Sequence, residues 1–135
     1  MLLKKEIVKK GNLIMLKFVL LGVGYVAPRH MQAIKDIGGE LVAIMDPNDS
    51  VGLIDSYYPG ASYFREFENL DRYCSKRNDI DYCVICTPNF LHDPGCRWAM
   101  RSGMNVICEK PLVLREKNLD GLLEIESQTG KKVWN

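Results

Sequence analysis

The sequence predicts an α/β domain built as a doubly wound parallel sheet. Two observations carry that prediction. From Lys17 onward, short apolar runs alternate with segments of helical character, which is the pattern of repeated βα units. Three motifs then fall where strands should end: Gly22-Val23-Gly24-Tyr25-Val26-Ala27, Thr87-Pro88-Asn89-Phe90-Leu91-His92 and Cys108-Glu109-Lys110-Pro111-Leu112. In an open parallel sheet the carboxyl ends of the strands line one edge, so these distant segments meet at one crevice.

Lys17 to Leu21 is the first expected strand, and Pro28 to about Ile37 the first helix. Pro28 suits a first helical turn, where its missing N–H is not needed, and Gly38-Gly39 supplies the stop. Leu41 to Met45 reads as the second strand. Asp49 or Ser50 can cap a short helix that Pro59-Gly60 breaks, Ser62 to Phe64 is a short third strand, and Phe67 to Lys76 is amphipathic. Asp81 to Thr87 is a near-continuous apolar strand, as both-face burial in a parallel sheet requires. A helix from about Pro94 to Arg101, a strand from Asn105 to Cys108, a helix from Arg115 to Gln128 closed by Gly130, and a strand from Lys132 to Asn135 complete the order.

The glycine loop carries the chemistry of a dinucleotide site. Gly22, Gly24 and Ala27 remove side chains where backbone must approach a pyrophosphate. The helix start beyond Tyr25 and Val26 contributes N–H donors and a partial positive charge. Asp46 ends the second strand at the usual distance beyond such a loop, where a carboxylate accepts hydrogen bonds from the adenosine ribose and repels a 2′-phosphate. No basic residue follows it closely in sequence, so NAD is favoured over NADP. A solvated turn carboxylate in Asp46-Pro47-Asn48 is the plainer alternative. Lys110 is the candidate for chemistry, because an ammonium beside a substrate hydroxyl stabilises alkoxide character during hydride loss. Pro111 biases it toward extended backbone. His92 is placed to orient the loop beneath the nicotinamide, with a structural hydrogen bond as its alternative. Arg29 and His30 at the first helix suit either anionic ligand groups or packing.

Composition narrows the partners. The 135 residues suit one domain, residues 15–135, preceded by an N-terminal extension over residues 1–14 with Met15 as an alternative start. A net charge of +1 offers no broad field for nucleic acid or an anionic membrane, so a small molecule is the expected partner. Five cysteines, an odd number without a regular framework, suit a reducing compartment, which points to the cytoplasm. Cys83-x-x-Cys86 lies in a strand, where residues three apart point to opposite faces and cannot converge on one metal ion. No apolar run approaches the roughly 20 residues of a membrane span, and Lys17 interrupts the only stretch that resembles a leader.

Taken in order, the glycine loop, the strand-end Asp46, Thr87-Pro88-Asn89-Phe90-Leu91-His92 and Cys108-Glu109-Lys110-Pro111-Leu112 resemble the Gfo/Idh/MocA oxidoreductases, whose cofactor domain is Rossmann-like. The resemblance spans Lys17 to the end. Tyr25 to Met31, Asp46 to Gly52 and Ile54 to Ser56 resemble the UDP-N-acetylglucosaminuronate 3-dehydrogenases of bacterial surface-polysaccharide synthesis. This implies NAD-dependent oxidation of a sugar C3 hydroxyl, with a UDP-sugar as partner. It maps Glu109 and Lys110 onto a Glu-Lys-Pro motif near the nicotinamide, and Thr87, Pro88, Asn89 and His92 onto the cofactor edge. The glycine loop is one small residue shorter than the resemblance leads one to expect. The resemblance further implies that a C-terminal substrate domain is absent from this chain, that a catalytic histidine lies in it, and that homo-oligomers form through it. Two other readings stay open: a dehydrogenase of another sugar or polyol, and a nucleotide-binding module without turnover.

Overall fold

Alternating side chains along the first strand decide how the layers form. In β1 (Lys17–Leu21), Val19 and Leu21 enter one core cluster while Phe18 and Leu20 enter another, so both faces of the strand are buried. The computed structural model describes residues 15–48 and 51–135. The expected extension over residues 1–14 and the expected cap at Asp49 or Ser50 lie outside them.

Five further strands join β1 in parallel: β2 (Glu40–Met45), β3 (Ser62–Phe64), β4 (Tyr82–Ile85), β5 (Asn105–Cys108) and β6 (Val133–Trp134). Their spatial order is β3-β2-β1-β4-β5-β6, the doubly wound arrangement that the sequence predicts. On one face lie α1 (Ala27–Asp36) and α2 (Val51–Tyr57), with Met31, Ile34 and Ile54 packed against Phe18, Leu20, Ile44 and Val84. On the other lie α3 (Phe67–Ser75), α4 (His92–Arg101) and α5 (Asn118–Thr129), through Leu70, Cys96, Met100, Leu122 and Ile125.

Most boundaries fall within one residue of expectation; three elements differ more or bear on the site. The α4 helix begins at His92 rather than Pro94, which places Pro94 in the first turn where no intrahelical N–H is required. A 3-10 turn over Asn89–Leu91 leads into it. The α5 helix begins at Asn118 rather than Arg115, because Asn118 and Leu119 donate three residues back, to Arg115 and Glu116, in turns that precede the helix. The β4 strand is shorter than Asp81 to Thr87, yet Cys86 N–H still bonds the Leu21 carbonyl at 2.7 Å, which keeps the β4 exit beside the β1 exit. Cys83 and Cys86 sit in opposite core clusters, so the metal alternative fails on geometry. All five cysteines are free and buried.

Candidate functional site

The sheet order changes direction at β1, so the crossovers from β1 and β4 leave toward opposite faces and a crevice opens between their carboxyl ends. That crevice has a volume of about 830 Å³. Gly22, Gly24, Tyr25 and Val26 form one wall, Thr87, Pro88, Asn89 and His92 a second, and Glu109 and Lys110 the far rim, with Asp46 on the opposite side. These eleven residues line one cavity, whereas Ala27 is buried in the core and Arg29 and His30 lie outside the lining.

Gly22 is fixed by its neighbours. Its φ of +82° lies in the left-handed region, and an added Cβ would stand 2.8 Å from the Cys86 carbonyl carbon and oxygen and from the Thr87 nitrogen. A Cβ on Gly24 would stand 3.2 Å from the Cys86 oxygen. The glycines thus let the β1 loop lie against the β4 exit, a demand of packing as much as of a ligand. Beyond them, the N–H groups of Gly24, Tyr25 and Val26 have no hydrogen-bond partner among the described residues, and the Tyr25 side chain is 94% exposed.

Asp46 is 6% exposed. One carboxylate oxygen accepts Val23 N–H at 2.6 Å and the other accepts Asn48 N–H at 2.7 Å. It is not a freely solvated turn carboxylate. Each oxygen keeps lone-pair capacity beyond its one bond, so acceptors remain on the cavity side of a fixed group.

His92 is 1% exposed, and its ring bridges two motifs: Nδ1 lies 2.6 Å from the Pro111 carbonyl and Nε2 lies 2.9 Å from the Thr87 carbonyl. The imidazole thus ties the β4 exit to the β5 exit. Asn135 holds the same β5 exit from its other side, donating from Nδ2 to the Cys108 carbonyl at 2.8 Å and the Glu109 carbonyl at 3.2 Å. The Lys110–Pro111 peptide bond is cis. Lys110 itself is exposed at the rim and has no hydrogen-bond or ion-pair partner among the described residues. Glu109 Oε1 lies 2.6 Å from His30 Nε2, so His30 meets a protein carboxylate.

Thr87 Oγ1 is the one buried side-chain polar atom without a partner among the described residues. An orphaned hydroxyl costs free energy unless something bonds it, and it stands in the cavity lining beside three unpartnered main-chain N–H groups and a fixed carboxylate. That donor and acceptor set fits a dinucleotide. Sequence reasoning missed Asn135, the His30–Glu109 pair, and Tyr63 and Arg65, which hold the Asp46 turn. None carries a motif, and each acts across long sequence separation.

Residues 16–135 match the sequence profile of the Gfo/Idh/MocA family, described as an oxidoreductase family with an NAD-binding Rossmann fold. This chain belongs to the Gfo/Idh/MocA family. Among its relatives, the inositol 2-dehydrogenase of Rhizobium meliloti is 30% identical over 118 residues, which cover 87% of this chain and 34% of that protein. The 2,7-anhydro-N-acetylneuraminate hydratase of Mediterraneibacter gnavus is 26% identical over 114 residues, 84% of this chain and 29% of that protein. Among solved structures, the WlbA (WbpB) dehydrogenase from Thermus thermophilus in complex with NAD and UDP-GlcNAcA is 46% identical with a TM-score of 0.85. That match covers 89% of this chain and 41% of the other. The chain therefore spans about a third of these two curated relatives and two-fifths of the solved structure. Among the described residues no helix is long and apolar enough to cross a membrane, and no group of three or more His, Cys, Asp or Glu is arranged to hold a metal ion.

Proposed function

We propose that this chain is the cofactor-binding part of an NAD-dependent dehydrogenase that oxidises the C3 hydroxyl of a UDP-sugar, UDP-N-acetylglucosaminuronate. The observation that carries this reading is the meeting of the glycine loop, the Thr87 motif and Lys110 around one crevice with a fixed carboxylate on its far side. The 46% identity to a dehydrogenase in complex with NAD and UDP-GlcNAcA supports the substrate class over inositol or a simple sugar.

Bound in this crevice, NAD supplies the hydride acceptor. In this reading Gly24, Tyr25 and Val26 donate main-chain N–H groups to the pyrophosphate, Asp46 accepts from the adenosine ribose, and the Thr87 hydroxyl finds its missing partner on the ligand. Lys110, at the rim, hydrogen-bonds the oxygen of the reacting hydroxyl and stabilises the negative charge that grows there as the hydroxyl proton passes to a base that we assign to the substrate domain. His92 and Asn135 hold the backbone on either side of Lys110, at the Pro111 and Glu109 carbonyls. The sugar must be held with its reacting carbon about 3 to 3.5 Å from the nicotinamide. We assign that task to a substrate domain beyond this chain, of the kind the longer relatives have room for, and place homo-oligomer contacts there as well. A cytoplasmic location accords with five buried free thiols.

The test is NAD reduction followed by absorbance, using the protein from the complete reading frame with UDP-N-acetylglucosaminuronate, inositol and glucose in parallel. Turnover with the UDP-sugar alone is expected, and Lys110→Met should lower it about 100-fold. Turnover with inositol or glucose in its place would refute the substrate. Absence of any turnover would favour a binding module.

A further inference from the structure

Asp46 is held by main chain on every side. Its N–H donates to the Phe64 carbonyl at 3.0 Å, and its carboxylate takes Val23 N–H and Asn48 N–H. Those bonds fix the carboxylate only if the turn carrying it is itself fixed. Two side chains from the end of β3 do this. The Tyr63 hydroxyl lies 2.9 Å from the Asp46 carbonyl and within hydrogen-bond reach of the Asn48 carbonyl, while Arg65 Nη2 donates to the Pro47 carbonyl at 3.2 Å. Three consecutive carbonyls of one turn thus face donors from a single strand edge. Tyr63 lies in β3 and Arg65 just beyond it, in the bend that leads to α3. A phenol has one proton, so Tyr63 serves the Asp46 and Asn48 carbonyls in alternation and links both ends of the turn.

We propose that Tyr63 is a positioning residue that sets the preference of this site for NAD over NADP. The inference rests on the dinucleotide reading given above. A carboxylate separates a 2′-hydroxyl from a 2′-phosphate only while it is kept at the ribose. When the turn loosens, the carboxylate withdraws from an incoming phosphate, and the hydroxyl bonds weaken as the repulsion is relieved. Selectivity, more than affinity alone, therefore depends on the Tyr63 hydroxyl.

Tyr63→Phe keeps the ring in its core cluster and removes only the hydroxyl. Tyr58→Phe is the control, because its hydroxyl bonds the Gly39 carbonyl at 3.1 Å at the opposite end of β2. Dissociation constants for NADH and NADPH by fluorescence titration, the melting temperature, and amide exchange of Val23 and Asn48 in the ligand-free chain are the readouts. Tyr63→Phe should lower the NADH-over-NADPH preference about threefold to tenfold, the scale of one lost hydrogen bond, and speed both amides by a similar factor. Tyr58→Phe should leave the ratio and both amides unchanged even if the melting temperature falls. Arg65→Ala, at an exposed side chain, should speed the Asn48 amide; it reports on the turn through that exchange alone, because the Arg65 guanidinium also lines the crevice and its loss alters the charge that a 2′-phosphate meets. An unchanged ratio with unchanged amides in Tyr63→Phe would overturn this inference while leaving the dinucleotide reading intact. A wild-type chain that binds neither dinucleotide would overturn the dinucleotide reading and, with it, the selectivity role.

Discussion

Replacing Gly22 with alanine tests the physical basis of the crevice, because two separable costs arise there. At φ +82° an alanine enters the left-handed region, at about 1–2 kcal/mol. Its Cβ also stands 2.8 Å from the Cys86 and Thr87 backbone, which cannot rotate away as a side chain could; overpacking of this kind costs about 1–3 kcal/mol. The sum is about 2–5 kcal/mol. A chain of this length gains about 0.28 kcal/mol/K on unfolding, so the melting temperature should fall by about 7–18 °C. Gly103 provides the internal control, since its φ is +89° but an added Cβ meets nothing within 4 Å. Gly103→Ala should therefore carry only the conformational cost. Urea and thermal unfolding of the two variants isolate the steric part by difference. If Gly22→Ala is no more destabilising than Gly103→Ala, the close approach of the β1 loop to the β4 exit is not what demands glycine.

Other outcomes are expected on the same grounds. Hydrogen bonds from Arg77 and Lys17 hold the Asp79 carboxyl well below the usual carboxylate range. The stability it contributes is present above about pH 4 and lost as pH falls through the lowered native value; Asp79→Asn should thus melt below wild type at pH 7, and the two melting temperatures should converge as the solution is acidified. Burial pushes the Cys74 thiol up to about 11, and burial with the nearby Glu109 charge pushes Cys86 up to about 12. With all five cysteines buried, the folded chain should show no fast thiol reaction with an aromatic disulfide reagent at pH 8, and a rapid stoichiometric burst would contradict that. His92→Phe should cost about 1–3 kcal/mol in urea unfolding, because the Thr87 and Pro111 carbonyls lose their shared partner.

The strand order and the place of the crevice were legible because a parallel sheet turns sequence order into a line of strand ends. Asp46 was legible for the same reason. Its pinning was not: the groups that fix it are main-chain N–H donors and the hydroxyl of Tyr63, 17 residues on, and hydrogen bonds to backbone leave no trace in residue type. Likewise Asn135 reads in sequence as the tail of a strand, and only the β5–β6 pairing brings its amide to the Cys108 and Glu109 carbonyls. The His30–Glu109 pair spans 79 residues across the crevice, beyond any local pattern. The helix starts moved for local reasons, Pro94 being tolerated in a first turn and residues 115–119 forming tighter turns than a helical pattern reveals. Asp46→Ala is an ambiguous test of ribose binding, since it also frees the Val23 and Asn48 amides. Asp46→Asn keeps an acceptor and removes the charge.

The central claim is that one crevice at the β1 and β4 exits binds NAD. Amide chemical-shift mapping of the isotopically labelled chain during titration with NADH, with NADPH in parallel, tests it most directly. Saturable shifts should appear at Gly22 to Val26, Asp46 to Asn48, Thr87 to Leu91 and Glu109 to Lys110, with NADH binding about tenfold or more tightly than NADPH, the scale of one charged hydrogen bond. Shifts confined to the outer helix faces, or NADPH binding equal to or tighter than NADH, would contradict it.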